Sequence, residues 1–533
     1  MMVDVPRTIE TGPFRGHWRS VGLVSIALVL LALSFRTGID AGMATGQVDL
    51  TFRYRVYGVP IVLSQIYFGR PYDYVGYMAL DTPLQYGTPS IDEWVPTLRL
   101  ARNVDAQGLF FIVADDKGIV DFTRLAFLLY GIRTTSLYYM YFTILLASWL
   151  FYVIAYFFDV RKLALMAFLC LGFYATVPVF LAVDPRINIL DLHTFGILSL
   201  MALLHLLVGA TDPGSTRPAK LAAIAGQVFI LVCAYHTRSS ILPQVLTILA
   251  AYPLVLWLQA RREHRRSPRL LERALGPDYR RRLIPAAFVL VSIFVLLPIY
   301  QRLMYHPDYF GRRATLSHII FHNLLIGSQS NPLLRESYGL GSVDLGAAHA
   351  VDMHLERTHQ SKGRKDWAVR GLNTVTTQLP FDWAEYEDAA RDLYFTMWRE
   401  QPMQSLLTWV YWHPLEIYRL VRAYSGNDAA RPVADRRLAY NPFRPLYLFV
   451  VGAVVVLSSA RPPMTRASAL IPVSMLAAAL FVPLLFYPET FHNLAETFVA
   501  GAATIYALVA VAASRLMARV SEPQPAYKAM GFK

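Results

Sequence analysis

A chain of 533 residues that is 55% hydrophobic and only 16% charged is too apolar for an ordinary soluble protein, where charged residues run to roughly 25%. Its formal net charge of +13 gathers in a few short segments, which points to membrane topology and away from nucleic-acid binding. Both cysteines, Cys170 and Cys233, fall inside apolar runs, which excludes a disulfide framework and any cysteine-based metal site.

Residues 1–19 are polar and carry Arg7, Arg15 and Arg19 ahead of an apolar span at 20–35. Basic residues there are expected to hold this segment in the cytoplasm. A cleaved signal peptide is the competing reading, with Gly42-Met43-Ala44 as the cut, but no Ala-x-Ala site is present. A polar stretch of about a hundred residues follows at 36–135, where membrane helices are normally joined by short turns. It contains Arg36-Thr-Gly-Ile-Asp40, Asp92-Glu93-Trp94 and Asp115-Asp116-Lys117-Gly118.

Further apolar runs lie at 136–158, 163–183, 192–210, 221–235, 241–259, 283–300, 446–459, 469–487 and 497–514, for an expected total of ten spans. Charge parity supports that count. The six segments falling on the cytoplasmic side (1–19, 159–162, 211–220, 260–282, 460–468 and 515–533) hold 22 Lys and Arg, against two in the short segments 184–191, 236–240 and 488–496. The resulting architecture is an α-helical polytopic membrane protein. A first helix and an outer loop at 36–135 precede a bundle of helices 2–7 at 136–300. A second outer loop at 301–445, helices 8–10 at 446–514 and a cytoplasmic tail at 515–533 complete it. Charges of both signs are nearly balanced in each large loop, as suits folded subdomains. Within the second loop, Tyr386 to Tyr424 reads as one or two aromatic-rich amphipathic helices, broken or started at Pro402 and Pro414.

One helix, a carboxylate-rich outer loop, a helical bundle and a second large outer loop together resemble the GT-C superfamily of membrane glycosyltransferases. The stretch Ala114 to Gly131 is similar to the loop-to-second-helix junction of those proteins. The resemblance implies a polyprenyl-phosphate-linked sugar donor, a cell-envelope glycan or lipid acceptor, inversion at the anomeric carbon, and an acidic general base in the first outer loop. It places that base at Asp40, with Asp92 and Glu93 as runners-up; the family's Asp-Glu pair directly after the first helix is missing here.

The chemistry asks for matching parts. A sugar hydroxyl needs a carboxylate to take its proton, and a lipid-phosphate leaving group needs cations near the membrane surface. Arg36 beside Asp40 and the polar break His236-Thr-Arg238-Ser-Ser supply such groups, since a cation at that depth is costly unless paired or hydrated. Arg36, His236 and Arg238 are therefore the expected lipid-phosphate contacts. Asp184-Pro-Arg186 and Asp191-Leu-His193 stand at a similar depth. His318 and His322 share a helix face but lack the following Glu and a third ligand, so no metal site is expected, and a divalent cation is the one cofactor left open. Location in a bacterial inner (plasma) membrane is expected, with membrane lipids as further partners and no nucleic acid. Competing functions are an O-antigen-type polymerase or ligase, whose outer mass usually sits in one late loop, and a non-catalytic transporter or assembly protein, for which no internal repeat is evident.

Overall fold

The structure, a computed structural model, describes residues 14–44, 58–68, 75–77, 91, 109–111, 118–183, 195–212, 214–263, 277–304, 320–341, 344–358, 383–425 and 466–486. The expected spans at 446–459 and 497–514 lie outside the described residues. What is described is almost entirely helical.

The first half of the chain forms α1 (Phe14–Ala44), α2 (Val59–Phe68), a pair of three-residue antiparallel strands, β1 (Val75–Tyr77) and β2 (Leu109–Phe111), then α3 (Gly118–Tyr130) and α4 (Thr134–Tyr156). After these come α5 (Val160–Val183), α6 (Phe195–Ala210), α7 (Pro218–Thr237), α8 (Leu242–Glu263) and α9 (Ile284–Met304). Five helices among the described residues are long and apolar enough to cross a membrane: Trp18–Arg36, Thr134–Tyr156, Pro218–Thr237, Leu242–Gln259 and Ile284–Met304. The chain is compatible with a multi-pass integral membrane protein. The helix holding the short run at 221–235 is longer than its apolar core because it starts at Pro218, with Arg217 extended before it. Proline is favoured there, since the first turn's N–H groups have no partner within the helix.

The bundle packs α1 on α5, α4 on α7, α6 on α7 and α8, and α8 on a late helix, α15 (Arg466–Leu485). Small residues permit the close approaches. Gly226 of α7 faces the Phe151 ring so closely that a Cβ there would fall within 3 Å of three of its carbons. The next residue, Gln227, shares a buried hydrogen bond with Ser148 across the same pair of helices.

Polar groups collect at the two ends of this bundle. At one end Asp212 pairs with Lys220 and with Lys162 (3.6 Å), Arg282 donates to the Ala210 carbonyl (2.9 Å), and Tyr252 donates to the Arg282 carbonyl (2.8 Å). Residues from 159–162, 211–220 and 260–282, three segments given the same side by their charge, thus meet at one end. At the other end lie the start of α4 and the ends of α7 and α9.

Helix α3 has 13 residues, too few to cross the roughly 30 Å hydrocarbon layer at 1.5 Å per residue. Its first residue packs on the end of α7 and its last precedes the start of α4, so it runs across the rim of the bundle. Gly131, at φ 85°, makes the turn between them, with its N–H on the Phe127 carbonyl and its own carbonyl accepting from the Ser136 hydroxyl. The outward side of α3 is apolar, with Leu125, Leu128 and Leu129 exposed. Ile91, the residue before the Asp92-Glu93 pair, is fully buried and donates its N–H to the Thr134 hydroxyl, which ties the first loop to the start of α4.

A separate core forms from α10 (Ile320–Ser328), α11 (Pro332–Tyr338), α12 (Asp344–Arg357), α13 (Trp383–Glu400) and part of α14. The last is one continuous helix made of Pro402–Leu407, a π-helical stretch Thr408–Trp412, and His413–Ser425. Pro402 begins it, as expected, whereas Pro414 does not end it. The widened turn just before Pro414 relieves its missing N–H and its ring clash with the preceding turn. A second π stretch, Ser292–Leu296, precedes Pro298 in α9 for the same reason. Buried Asn331 caps α11 through the Leu333 N–H and donates to the Gln404 carbonyl of α14 (2.9 Å).

His413 joins this second core to α15. Its Nδ1 lies 2.5 Å from the Leu484 carbonyl and its Nε2 2.9 Å from that of Gly327. Burial pushes the imidazole below its usual pKa, and the two carbonyls recover only part of that shift. A depressed histidine contributes stability that is complete above the unfolded value of about 6.5 and is lost as pH falls below it. Thermal stability is therefore expected to fall from pH 7.5 to 5.5, and the part of that loss due to this ring should vanish in His413→Gln. An equal pH response in wild type and variant would contradict this role.

Candidate functional site

Opposite the lysine-rich end, three elements bring polar side chains to one point. Asp121 lies in the first turn of α3, His236 in the last turn of α7, and Tyr300 near the end of α9. Asp121 Oδ2 is 3.1 Å from His236 Nε2 and accepts from the Tyr300 hydroxyl, also at 3.1 Å. Asp121 Oδ1 accepts from Arg124 Nη1 at 3.2 Å, one turn along the same helix, and Arg124 Nη2 donates to Gln65 of α2 at 2.8 Å. The imidazole Nδ1 faces the Gln301 amide nitrogen at 3.3 Å, and the ring stands edge-on to Tyr300 at 89°. His236 is buried, with 8% of its side chain exposed, against 24% for Asp121, so the carboxylate is the more open partner.

Local sequence explains the meeting. Gly118 opens α3 against the backbone of α7: a Cβ there would stand 2.6 Å from His236 C and Thr237 N. Only a glycine lets the first turn of α3 come this close, and Asp121 follows one turn later. Gly58, at the start of α2, allows a similar approach to Thr123 and Ile119 of α3.

Below this polar group lies a cavity of about 500 Å³. Its walls are Phe122 and Leu125 of α3, Met140 and Ile144 of α4, Phe195 and Leu198 of α6, Phe229, Val232 and Cys233 of α7, and Phe288 to Tyr300 of α9. Along α9 the lining runs from Phe288 to Tyr300, roughly 18 Å of helix at 1.5 Å rise per step. Asp121, His236, Thr237 and Tyr300 supply polar groups toward one end, and Ser292 is the other hydroxyl on the wall. The shape suits a molecule with an apolar tail and a polar head.

The expected site residues distribute unevenly. His236 is in the cluster, and Arg238, half-buried, follows directly as the extended residue that ends α7. Arg36 is exposed on α1. Its neighbour Phe35 stacks on Phe142 of α4 at 4.3 Å, two positions from Met140 and from Ile144 and so on the opposite side of that helix from the cavity. The structure does not bring Arg36 to His236. Asp40 stands in the last turns of α1, but its side chain lies outside the described residues, as do Asp92, Glu93, Asp184, Arg186, Asp191 and His193.

Asp121 and Tyr300 were not singled out from the sequence. A lone acid in the apolar run Gly118–Tyr130, with Arg124 one turn on, reads as a local ion pair, and its histidine is 115 positions away. In the second core, His322 Nδ1 is committed to the Tyr386 hydroxyl at 2.6 Å, and His318 lies outside the described residues. Glu387 caps the start of α10 through the N–H groups of Phe321 and His322; burial raises its pKa more than those N–H groups lower it. Among the described residues no group of three or more His, Cys, Asp or Glu could hold a metal ion. Comparison with protein-family models, with curated proteins and with solved structures gives no match.

Proposed function

We propose that the chain is a GT-C-like membrane glycosyltransferase that takes a sugar from a polyprenyl-phosphate donor and passes it, with inversion, to a cell-envelope glycan or lipid acceptor at the outer membrane face. The observation that carries this proposal is the apolar cavity with its polar end at Asp121, His236 and Tyr300. Such a cavity offers the isoprenoid chain a lipid-like lining and leaves the phosphate-linked sugar at the rim, within reach of the outer loops. Arg238 is the group proposed to stand nearest the leaving phosphate. Ten spans are proposed, with loops 36–135 and 301–445 outside.

Two measurements bear on it. Leu296 lines the cavity and is half exposed, so Leu296→Trp should fold and narrow the slot. In native membranes, photolabelling by a benzophenone-bearing polyprenyl phosphate should saturate in wild type and fall at least tenfold in Leu296→Trp. Equal labelling in both would remove the cavity as the donor site. For the topology, Ser90→Cys and Ser361→Cys in a background without Cys170 and Cys233 should react with an impermeant maleimide in intact cells. Ser267→Cys should react only after lysis, and its labelling in intact cells would refute the ten-span order.

A further inference from the structure

The geometry points to His236 as the group that takes the proton from the acceptor hydroxyl through Nδ1, with Asp121 holding the ring from the far side. This inference rests on the transferase reading above and names its base.

A neutral imidazole has one N–H donor and one acceptor nitrogen. Asp121 in its carboxylate form only accepts, so the nitrogen 3.1 Å from it, Nε2, must carry the hydrogen. Nδ1 then has a lone pair, and among the described residues the side-chain nitrogen of Gln301 faces it at 3.3 Å. Gln301 is half-buried at the rim, where an incoming hydroxyl can take its place. Asp121 is fixed by Arg124 on one oxygen and by Tyr300 on the other. Both of its oxygens thus already accept hydrogen bonds from neighbouring side chains. Its fitting role is to position the ring and stabilise the imidazolium once formed. Among the described residues, the charged and titratable groups around the ring include Asp121 and Arg124 from α3, Tyr300 from α9, and Cys233 and Arg238 on its own segment.

In the step, the acceptor hydroxyl displaces the Gln301 amide and gives its proton to Nδ1 as its oxygen bonds to the sugar's anomeric carbon. The bond from that carbon to the phosphate oxygen breaks, and its electron pair leaves on the polyprenyl phosphate. The proton on Nδ1 then passes to water or to the departing phosphate, which returns the neutral ring.

The test uses full-length protein in membranes, with the benzophenone polyprenyl phosphate as binding probe and sugar transfer as readout. His236→Gln should keep photolabelling and lose at least a hundredfold in turnover. His236→Gly should regain a measurable part of it with added imidazole. Asp121→Asn should keep labelling, lower turnover, and move the acidic limb of the kcat/KM profile to lower pH, because the imidazolium loses its anionic partner. A purely structural Asp121 would leave that limb in place. Full turnover in His236→Gln with labelling intact overturns His236 as the base and leaves the donor proposal standing. Wild-type membranes that fail to label overturn the donor proposal itself. Should His236→Gln lose labelling through misfolding, an unmoved limb in Asp121→Asn is the overturning result.

Discussion

Gly118→Ala is expected to stop turnover while the bundle stays assembled. The new methyl carbon would stand 2.6 Å from two backbone atoms of α7, His236 C and Thr237 N, and 2.8 Å from His236 Cδ2. Backbone atoms at the end of a packed helix do not rotate away as a side-chain tip does, so α3 must lift off α7. Overpacking of this kind costs about 1–3 kcal/mol, which a bundle of this size tolerates. The site tolerates it less well. A lift of about 1 Å would carry Asp121 from 3.1 Å to beyond hydrogen-bonding range of His236, and displacements of that size cost on the order of a hundredfold in rate. Gly22→Ala is the matched control, because a Cβ at Gly22 meets nothing within 4 Å. Full turnover in Gly118→Ala would show that the close approach of α3 to α7 does not matter for function.

That contact also shows how far the sequence could be read. The five membrane-length helices among the described residues are legible because each is a run of apolar residues, and three of the segments given the same side by charge meet: Lys162, Asp212, Lys220 and Arg282 share one end of the bundle. Pro402 marked the break between α13 and α14, since a proline fits the first turn of a helix. Pro414 carried the same signal with a different outcome, because a π-helical turn absorbed it. His236 and Arg238 stood out as a polar break between two spans. Their partner did not, because the pairing of Asp121 with His236 depends on how α3 crosses the rim, and that path is set by tertiary contacts at Gly118 and Gly58. Carboxylates were weighed by nearness to the first helix, which favoured Asp40. Asp121 lines the cavity, a nearness that chain position does not reveal.

At the opposite end of the bundle, Asp212→Asn is expected to destabilise the protein by about 3 kcal/mol, near the lower end for breaking a buried ion pair. The Asp212 side chain is 9% exposed, and those of Lys162 and Lys220 are 18% and 20% exposed. Both ammonium groups also lie over the Tyr156 ring, at 4.7 and 5.2 Å from its centre. Removing Asp212 leaves Lys220 without its carboxylate and beside Lys162, which keeps only the more exposed Asp159 at 3.1 Å. Removing one cation instead, in Lys162→Met, leaves the Asp212–Lys220 pair in place, releases only the exposed Asp159, and should cost less than about 1 kcal/mol. The pH dependence gives a second handle. Burial raises the Asp212 pKa, but the Lys220 hydrogen bond, the Lys162 charge and the Gly214 N–H together bring it below the usual carboxylate value. A depressed carboxylate contributes stability that is complete above its unfolded pKa of about 3.9 and is lost as pH falls through the folded value. Unfolding in detergent micelles should therefore show wild type losing stability below about pH 4, with Asp212→Asn weaker at pH 7 and free of that component of the acid loss. Equal costs for Asp212→Asn and Lys162→Met would mean that the two lysines do not share one carboxylate.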